Sequence, residues 1–441
     1  MGRLAALIVA VVVAAARAAE PLPTPAEVTA AKLDLWGEAA LRQPGGPSYE
    51  FFAKLLPPLR YVDADFRHYP IVLSAPSAPV KARLVSNGSA INALARQPNW
   101  VTEAGTPVHV RVGPGHEPFG GDLSRLDGPH TADGWLPIVR LRYDHGGDSY
   151  GEEVFAAVDE PLAAAGAVVC RFDFPAAGRG RIDLRFDHGY EVLTGRGGAV
   201  RDKAGKVLAA FDDNWEWNPA RGWLISKDSH APAAFVTIFT KPVETTPAVN
   251  GEFYQRQRDL CERRWRQILA AGMNVEVPEP YVNAAWRSLV VGTYMIVAGD
   301  QMNYSAGNQY ARQYAHESGD ALRAMVVWGH GRDLARTLRP LFVYRRPNIE
   351  YHDGAFKLRD LAEFYFVTRD KQTVHDLRPL WQKEIDLLLG ARDSVTGLLP
   401  REKYCSDIDT RIRSNNANAQ AWRGLRDMSL VLEDIGEHEQ A

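Results

Sequence analysis

Between about residues 70 and 245, apolar and polar positions alternate along the chain. Val108, Val110 and Val112 enclose His109 and Arg111, and Val139, Leu141 and Tyr143 keep the same rhythm. A turn-like His145-Gly146-Gly147-Asp148 leads to Val154, Ala156 and Val158. Val168, Cys170, Phe172 and Phe174 repeat the pattern, followed by Ile182, Leu184 and Phe186, and later by Phe235, Thr237 and Phe239. Each run is short and is bounded by Gly, Pro, Asp or Asn. A period of two with such punctuation predicts antiparallel strands with one buried face. No helical stretch is interleaved with them, which favours a β-sandwich over a parallel α/β sheet.

After Pro247 the period lengthens. Phe253, Leu260, Trp265, Ile268 and Leu269 fall on one helical stripe, with Arg256, Arg258, Arg263 and Arg266 mostly opposite. This predicts a linker helix within 247–277, stopped by Val277-Pro278-Glu279-Pro280. Val282, Trp286, Leu289, Thr293 and Ile296 open another helix, and helical runs continue at 313–329, 331–343, 354–367, 371–391 and 415–435. They pair as three hairpins in which short links alternate with long ones. The long links (Ala298 to Ala311, Arg345 to Asp353, Arg392 to Asn415) gather at one end of the helices, where functional residues tend to sit.

The N-terminus has a different character. Arg3 precedes the apolar run Leu4 to Ala16, and Ala16-Arg17-Ala18 fits a small-x-small cleavage site. This reads as a secretory signal peptide cleaved before Ala19, because the run is shorter than the ~20 residues of a membrane span. The expected organisation is a signal peptide at 1–18, an N-terminal β-sandwich domain at 19–246, a linker helix at 247–277 and a helical domain at 278–441. The protein is expected to be secreted or periplasmic and free of the membrane after cleavage.

Composition narrows the function classes. The 441 residues carry 51 Lys+Arg against 54 Asp+Glu, a formal charge of −3, which argues against a nucleic-acid binder or a polybasic membrane-surface protein. Cys170, Cys261 and Cys405 are far apart and form no CxxC, so neither a disulfide framework nor a metal site is expected, and a single bridge remains open. No P-loop, GxGxxG, HExxH or GxSxG stands in a suitable context, and no cofactor is expected. Asn87-Gly88-Ser89 and Asn303-Tyr304-Ser305 match the N-glycosylation pattern.

Polar, aromatic and charged residues concentrate in four segments. Asn303 to Asn308 runs into Arg312-Gln313-Tyr314-Ala315-His316-Glu317-Ser318-Gly319-Asp320. Glu317 and Asp320 are three apart on a predicted helix and share a face with Tyr314. Two close carboxylates drive their pKa values apart, as acid/base work on a glycosidic bond requires. The competing reading is an acid pair in a first helical turn, neutralised by Arg312 or Arg323. The second segment, Glu350-Tyr351-His352-Asp353-Gly354, offers Asp353 as an N-cap or a substrate ligand. The third is Gly397-Leu398-Leu399-Pro400 with Tyr404, Asp407 and Asp409. The fourth, Ser414-Asn415-Asn416-Ala417-Asn418-Ala419-Gln420 with Trp422, holds more amides than one cap uses. The surplus suits sugar hydroxyls, and Trp422 serves either as a sugar platform or as core.

This order of parts resembles the six-hairpin glycosidases, the (α/α)6 toroids of the glucoamylase, α-rhamnosidase and trehalase-like kind. Tyr314-x-x-Glu317-Ser318-Gly319-Asp320 is similar to the acidic motif opening an inner helix of such barrels. Gly397-Leu398-Leu399-Pro400 followed by Tyr404 and Asp407 is similar to the loop before the third inner helix, and Asn416-x-Asn418-Ala419 to that helix itself. The resemblance implies a multidomain β + α protein, with an antiparallel β-sandwich followed by the first three hairpins of an incomplete toroid. It implies glycoside hydrolysis of an oligo- or polysaccharide by two carboxylic groups. Glu317 and Asp320 would be the catalytic pair, and Arg312, Tyr314, Asp353, Asp407, Asn416, Asn418 and Trp422 would bind substrate. A carbohydrate substrate is thus the expected partner, and a form with the complete ring is expected to hydrolyse it. One alternative is a non-catalytic carbohydrate-binding or partner-completed surface protein. Another is a polysaccharide lyase using Tyr314 and His316, or Tyr351 and His352, as acid and base.

Overall fold

A computed structural model describes residues 21–53, 55, 70–93, 105–175, 180–187, 193–227, 231–308, 310–405 and 407–441. The expected signal peptide lies outside the described residues. The chain divides into two compact units, Met1–Leu59 and Arg60–Ala441. The described part of the first unit holds three short helices, α1 (Pro25–Ala31), α2 (Leu35–Leu41) and α3 (Tyr49–Ala53). Thr24 and Glu27 close a capping box at the start of α1. No described helix is long and apolar enough to cross a membrane.

The second unit is a mixed β + α structure. Its first antiparallel sheet runs in the order Ile71–Leu73, Ala82–Leu84, Ala90–Ile91, Val108–Val112, Ile182–Phe186, Trp223–Ser226, Trp215–Asn218, with Glu117–Pro118 beside Val108–Val112. The second runs Thr194–Arg196, Ala199–Arg201, Val207–Phe211, Ala233–Val243, Ala167–Asp173, Asp148–Ala156, Leu136–His145, Leu126–Ala132. Val108, Val110 and Val112 share one apolar cluster with Val154, Cys170 and Val236, so the two sheets contribute to a common core.

The expectation of one buried face fails for the second sheet. Leu136 to Val139 and Ala167 to Cys170 are buried at every position. The reason is the helix α4 (Gly251–Ala270): Phe155 and Val169 on the sheet's other face join Phe253, Tyr254, Cys261 and Trp265 in a second cluster. That cluster continues into the remaining helices, so sheet and helices share a core.

Those helices are α5 (Pro280–Ile296), α6 (Ala315–Met325), α7 (Gly331–Leu334), α8 (Leu338–Val343), α9 (Glu350–Thr368), α10 (Lys371–Asp376), α11 (Arg378–Ala391) and α12 (Asn415–Ile435). Gly329, at φ 89°, makes the short link between the runs read at 313–329 and 331–343. The run read as 371–391 is instead two helices. It breaks at Leu377, before Pro379, whose ring is tolerated only in a first helical turn. The central helix is α9, which packs against α6, α11 and α12. Gly424 of α12 makes that approach feasible, since a Cβ there would stand 2.7 Å from the Ala355 carbonyl oxygen. Two small hairpins occupy the long links: Val297–Ala298 with Gln301–Met302, and Glu402–Cys405 with Ile408–Ile412.

All three cysteines are free thiols, and Cys170 and Cys261 are buried. Both glycosylation-pattern asparagines are also buried, Asn87 donating to the Gly120 carbonyl at 3.1 Å.

Candidate functional site

The first turns of α6, α9 and α12 meet and present one polar strip. His316 of α6 packs on His352 and Phe356 of α9, with ring centroids 4.1 and 4.4 Å away. Asp353, 2% exposed, is the strip's buried carboxylate. Its Oδ1 takes a hydrogen bond from Arg346 Nη2 at 3.0 Å and lies 2.9 Å from His316 Nε2, while its Oδ2 has no hydrogen-bond partner. Asn416 of α12 donates from Nδ2 to His352 Nε2 at 3.1 Å, which places that imidazole's proton on Nδ1. Burial, then the neighbouring His316, pushes the His352 pKa down to about 4, so the ring is neutral at physiological pH.

Along the same face the strip continues to Asp320, one turn beyond His316 on α6. Asp320 Oδ1 accepts from Arg323 at 2.7 Å and from Arg359 of α9 at 2.9 Å. Arg359 also stacks on Phe356, 4.3 Å from its centroid, and donates to Gln420 of α12 at 2.7 Å. Beneath this layer the Asp360 carboxyl is wholly buried and makes no hydrogen bond, 3.8 Å from Arg323 and 3.9 Å from Arg359. Burial pushes it up to about 8, against the pull of the two guanidinium groups.

Next to the strip, the link before α6 forms an aromatic edge. Tyr304 stands edge-to-face to Tyr310 and Tyr314, at 5.5 and 5.7 Å. Arg312 donates to the Tyr314 hydroxyl at 2.6 Å and lies over its ring. Tyr304 and Tyr310 are exposed, and tyrosine faces next to a guanidinium supply both an apolar platform and hydrogen-bond donors.

The structure brings together only part of the predicted set. Asp353, Asn416 and Asp320 lie on the strip, and Arg312 and Tyr314 on the aromatic edge. Glu317 is exposed on the first turn of α6, and its carboxylate has no partner among the described residues. Asp320 realises the ion-pair reading with Arg323, and adds Arg359. Asp353 is not the N-cap of α9. The helix begins earlier, at Glu350, and the carboxylate of Glu402 takes the first-turn N–H groups instead. Asn418 spends both ends of its amide on backbone, accepting from Leu399 N and donating to the Ser414 carbonyl, each at 2.9 Å. Trp422 is 65% exposed on a separate groove of about 400 Å³ between α11 and α12, under Arg426. Asp407 lies exposed in the turn of the 402–412 hairpin. The sequence does not single out Arg346, Arg359, Asp360 or Glu402. Arg346 and Glu402 carry one signal, their place in long links between helices. No three His, Cys, Asp or Glu side chains among the described residues are placed to hold a metal ion.

No family model matches the sequence, and no curated protein does. Among solved structures, a GH92-family glycosyl hydrolase, ccman5, is similar at a TM-score of 0.37 and 12% identity, over 88% of this chain and 72% of that one.

Proposed function

We propose that this chain is a glycoside hydrolase acting on an oligo- or polysaccharide outside the cytoplasm. In this reading its two sheets form a β-sandwich, and its helices are the first hairpins of an (α/α) toroid. The observation that carries it is the strip itself. Three helices present Asp320 and Asp353 with Asn416, Gln420 and Arg359, beside the tyrosine edge. Hydrolysis of a glycosidic bond needs one carboxyl group to protonate the leaving oxygen and an ionised one to activate water or attack the anomeric carbon. Asp320 on the strip and Glu317, exposed on the first turn of α6, are the carboxylates this reading assigns to that pair. Asp353, buried and paired with Arg346 through Oδ1, holds Arg346 and His316 in place beneath the strip.

Release of reducing ends from a glycan panel tests the proposal. Glu317→Gln, Asp320→Asn and Asp353→Asn are each compared with the wild type on a glycan that the wild type cleaves. Loss of at least a hundredfold in kcat/KM for one of the first two supports the assignment, at about 2.7 kcal/mol of transition-state stabilisation. Full activity in both removes it.

The stacked His316–His352 pair favours one second reading, a polysaccharide lyase. His316 would take the proton next to a uronate carboxyl, and Tyr314 would protonate the leaving oxygen. The product would carry a new double bond and absorb in the ultraviolet, whereas a hydrolase product would not.

A further inference from the structure

The helix α9 starts without a cap of its own. Its N-cap position is Ile349, whose side chain accepts nothing, and the first-turn N–H groups of any helix need acceptors. Neither acid of the turn provides them. Glu350 accepts the Asn348 N–H at 2.9 Å, and Asp353 faces Arg346 and His316. The acceptors come from fifty residues further on. Glu402 Oε2 accepts from Tyr351 N and Oε1 from His352 N, both at 3.1 Å, and Glu402 is only 3% exposed. The next residue, Lys403, donates its N–H to the Asn348 carbonyl at 2.8 Å, which ties the hairpin strand to the same turn.

We propose that Glu402 is a positioning residue. From the 402–412 hairpin it supplies the missing cap of α9 and so fixes His352 and Asp353 against His316, Arg346 and Asn416. The two N–H groups it holds belong to His352 and to the residue before it, and Asp353 follows directly. A first turn that frays would therefore carry both strip residues out of register. The functional meaning rests on the strip being the active site, but the geometry does not, and the two are tested separately.

Amide exchange and imidazole resonances read the positioning role without any substrate. Glu402→Ala is expected to speed exchange at the Tyr351 and His352 amides at least tenfold, while Leu361 and Ala362 in mid-helix stay protected. It should also shift the His352 ring resonances as the Asn416 contact loosens. Glu402→Gln keeps one strong acceptor and should restore protection at one of the two amides with a near-native His352 signal. Unchanged exchange and ring signals in Glu402→Ala would overturn the proposal, as would identical behaviour of the Ala and Gln variants. If the Ala variant does not fold, Glu402→Gln decides: one amide unprotected with His352 in place supports the role, and both unchanged or both lost refutes it. On a glycan that the wild type cleaves, the Ala variant should lose kcat at least tenfold with little change in KM. Failure of that arm alone, with the exchange result intact, would count against the strip as the active site and not against the cap.

Discussion

Asp360 lies directly against Gly319: a Cβ built on that glycine would overlap the carboxyl Oδ2. A glycine inside a helix costs roughly 0.5–1 kcal/mol relative to alanine, so propensity alone makes Gly319→Ala stabilising. The contact outweighs it. Overpacking of a closed site costs about 1–3 kcal/mol, and the neighbour here is a wholly buried carboxyl. Gly319→Ala is therefore expected to lower unfolding free energy in urea. Asp360→Ala should relieve much of that loss, giving a double variant less damaged than the sum of the singles.

The same carboxyl makes stability depend on pH. Asp360 is pushed up to about 8 from an ordinary value of 3.8, first by burial and further by Asp320 and Glu363, with Arg359 and Arg323 opposing. The unfolded chain releases this proton near pH 4 and the folded chain near pH 8. Stability from this group is thus complete below pH 4 and declines as pH rises towards 8, at about 1.4 kcal/mol for each unit separating the two pKa values. Asp360→Asn should flatten that decline in denaturation curves taken across the range. Parallel curves for the variant and wild type would show that Asp360 ionises normally.

Asn418 looks like a sugar ligand in sequence and behaves as a brace in the structure. Its amide bridges Leu399 N and the Ser414 carbonyl, joining the link after α11 to the start of α12. Removing it leaves the Leu399 N–H without its acceptor, at about 1–3 kcal/mol for a group left unsatisfied, while the Ser414 carbonyl keeps the backbone N–H of residue 418 at 3.1 Å. Asn418→Ala is expected to lower Tm while leaving KM for any hydrolysed glycan unchanged. A raised KM at unchanged Tm would return Asn418 to the binding residues.

Which parts of this architecture are legible in sequence follows from how local their causes are. Val108, Val110 and Val112 alternate because one face of their strand is buried, and α12 shows its period because it lies on α9 by one side. The second sheet also shows alternating runs, but the burial of its other face at Leu136 to Val139 depends on α4, which is distant in sequence. The 402–412 hairpin is largely polar and has no apolar rhythm to read. Asp353 resembles an N-cap because it precedes the Phe356 run, yet the true helix start is set by Glu402 from a distant hairpin. His316 and His352 stand out in sequence next to acids, but their stacking on each other is a tertiary fact. Asp360 is one of four acids in α9 and stands beside Arg359, so nothing in the sequence signals that it alone is wholly buried and without a hydrogen bond.

Glu402 and His352 oppose each other in their response to pH. Burial pushes Glu402 up to about 7 from 4.5, against the two N–H groups it accepts. Burial pushes His352 down to about 4 from 6.5. For Glu402 the unfolded chain loses its proton first, so stability falls as pH rises from 4.5 to 7. For His352 the unfolded chain takes up a proton first, so stability falls as pH drops from 6.5 to 4. The two slopes have opposite sign over nearly the same interval and largely cancel in the wild type. Replacing one group should expose the other. Relative to the wild type at each pH, Glu402→Gln is expected to gain stability from about pH 4.5 to 7, and His352→Gln to lose it from about pH 4 to 6.5, each at up to about 1.4 kcal/mol per pH unit on top of the Asp360 slope that both variants keep. Thermal unfolding at closely spaced pH values reads both, and variants that keep the wild-type profile would show that neither group titrates as its burial dictates.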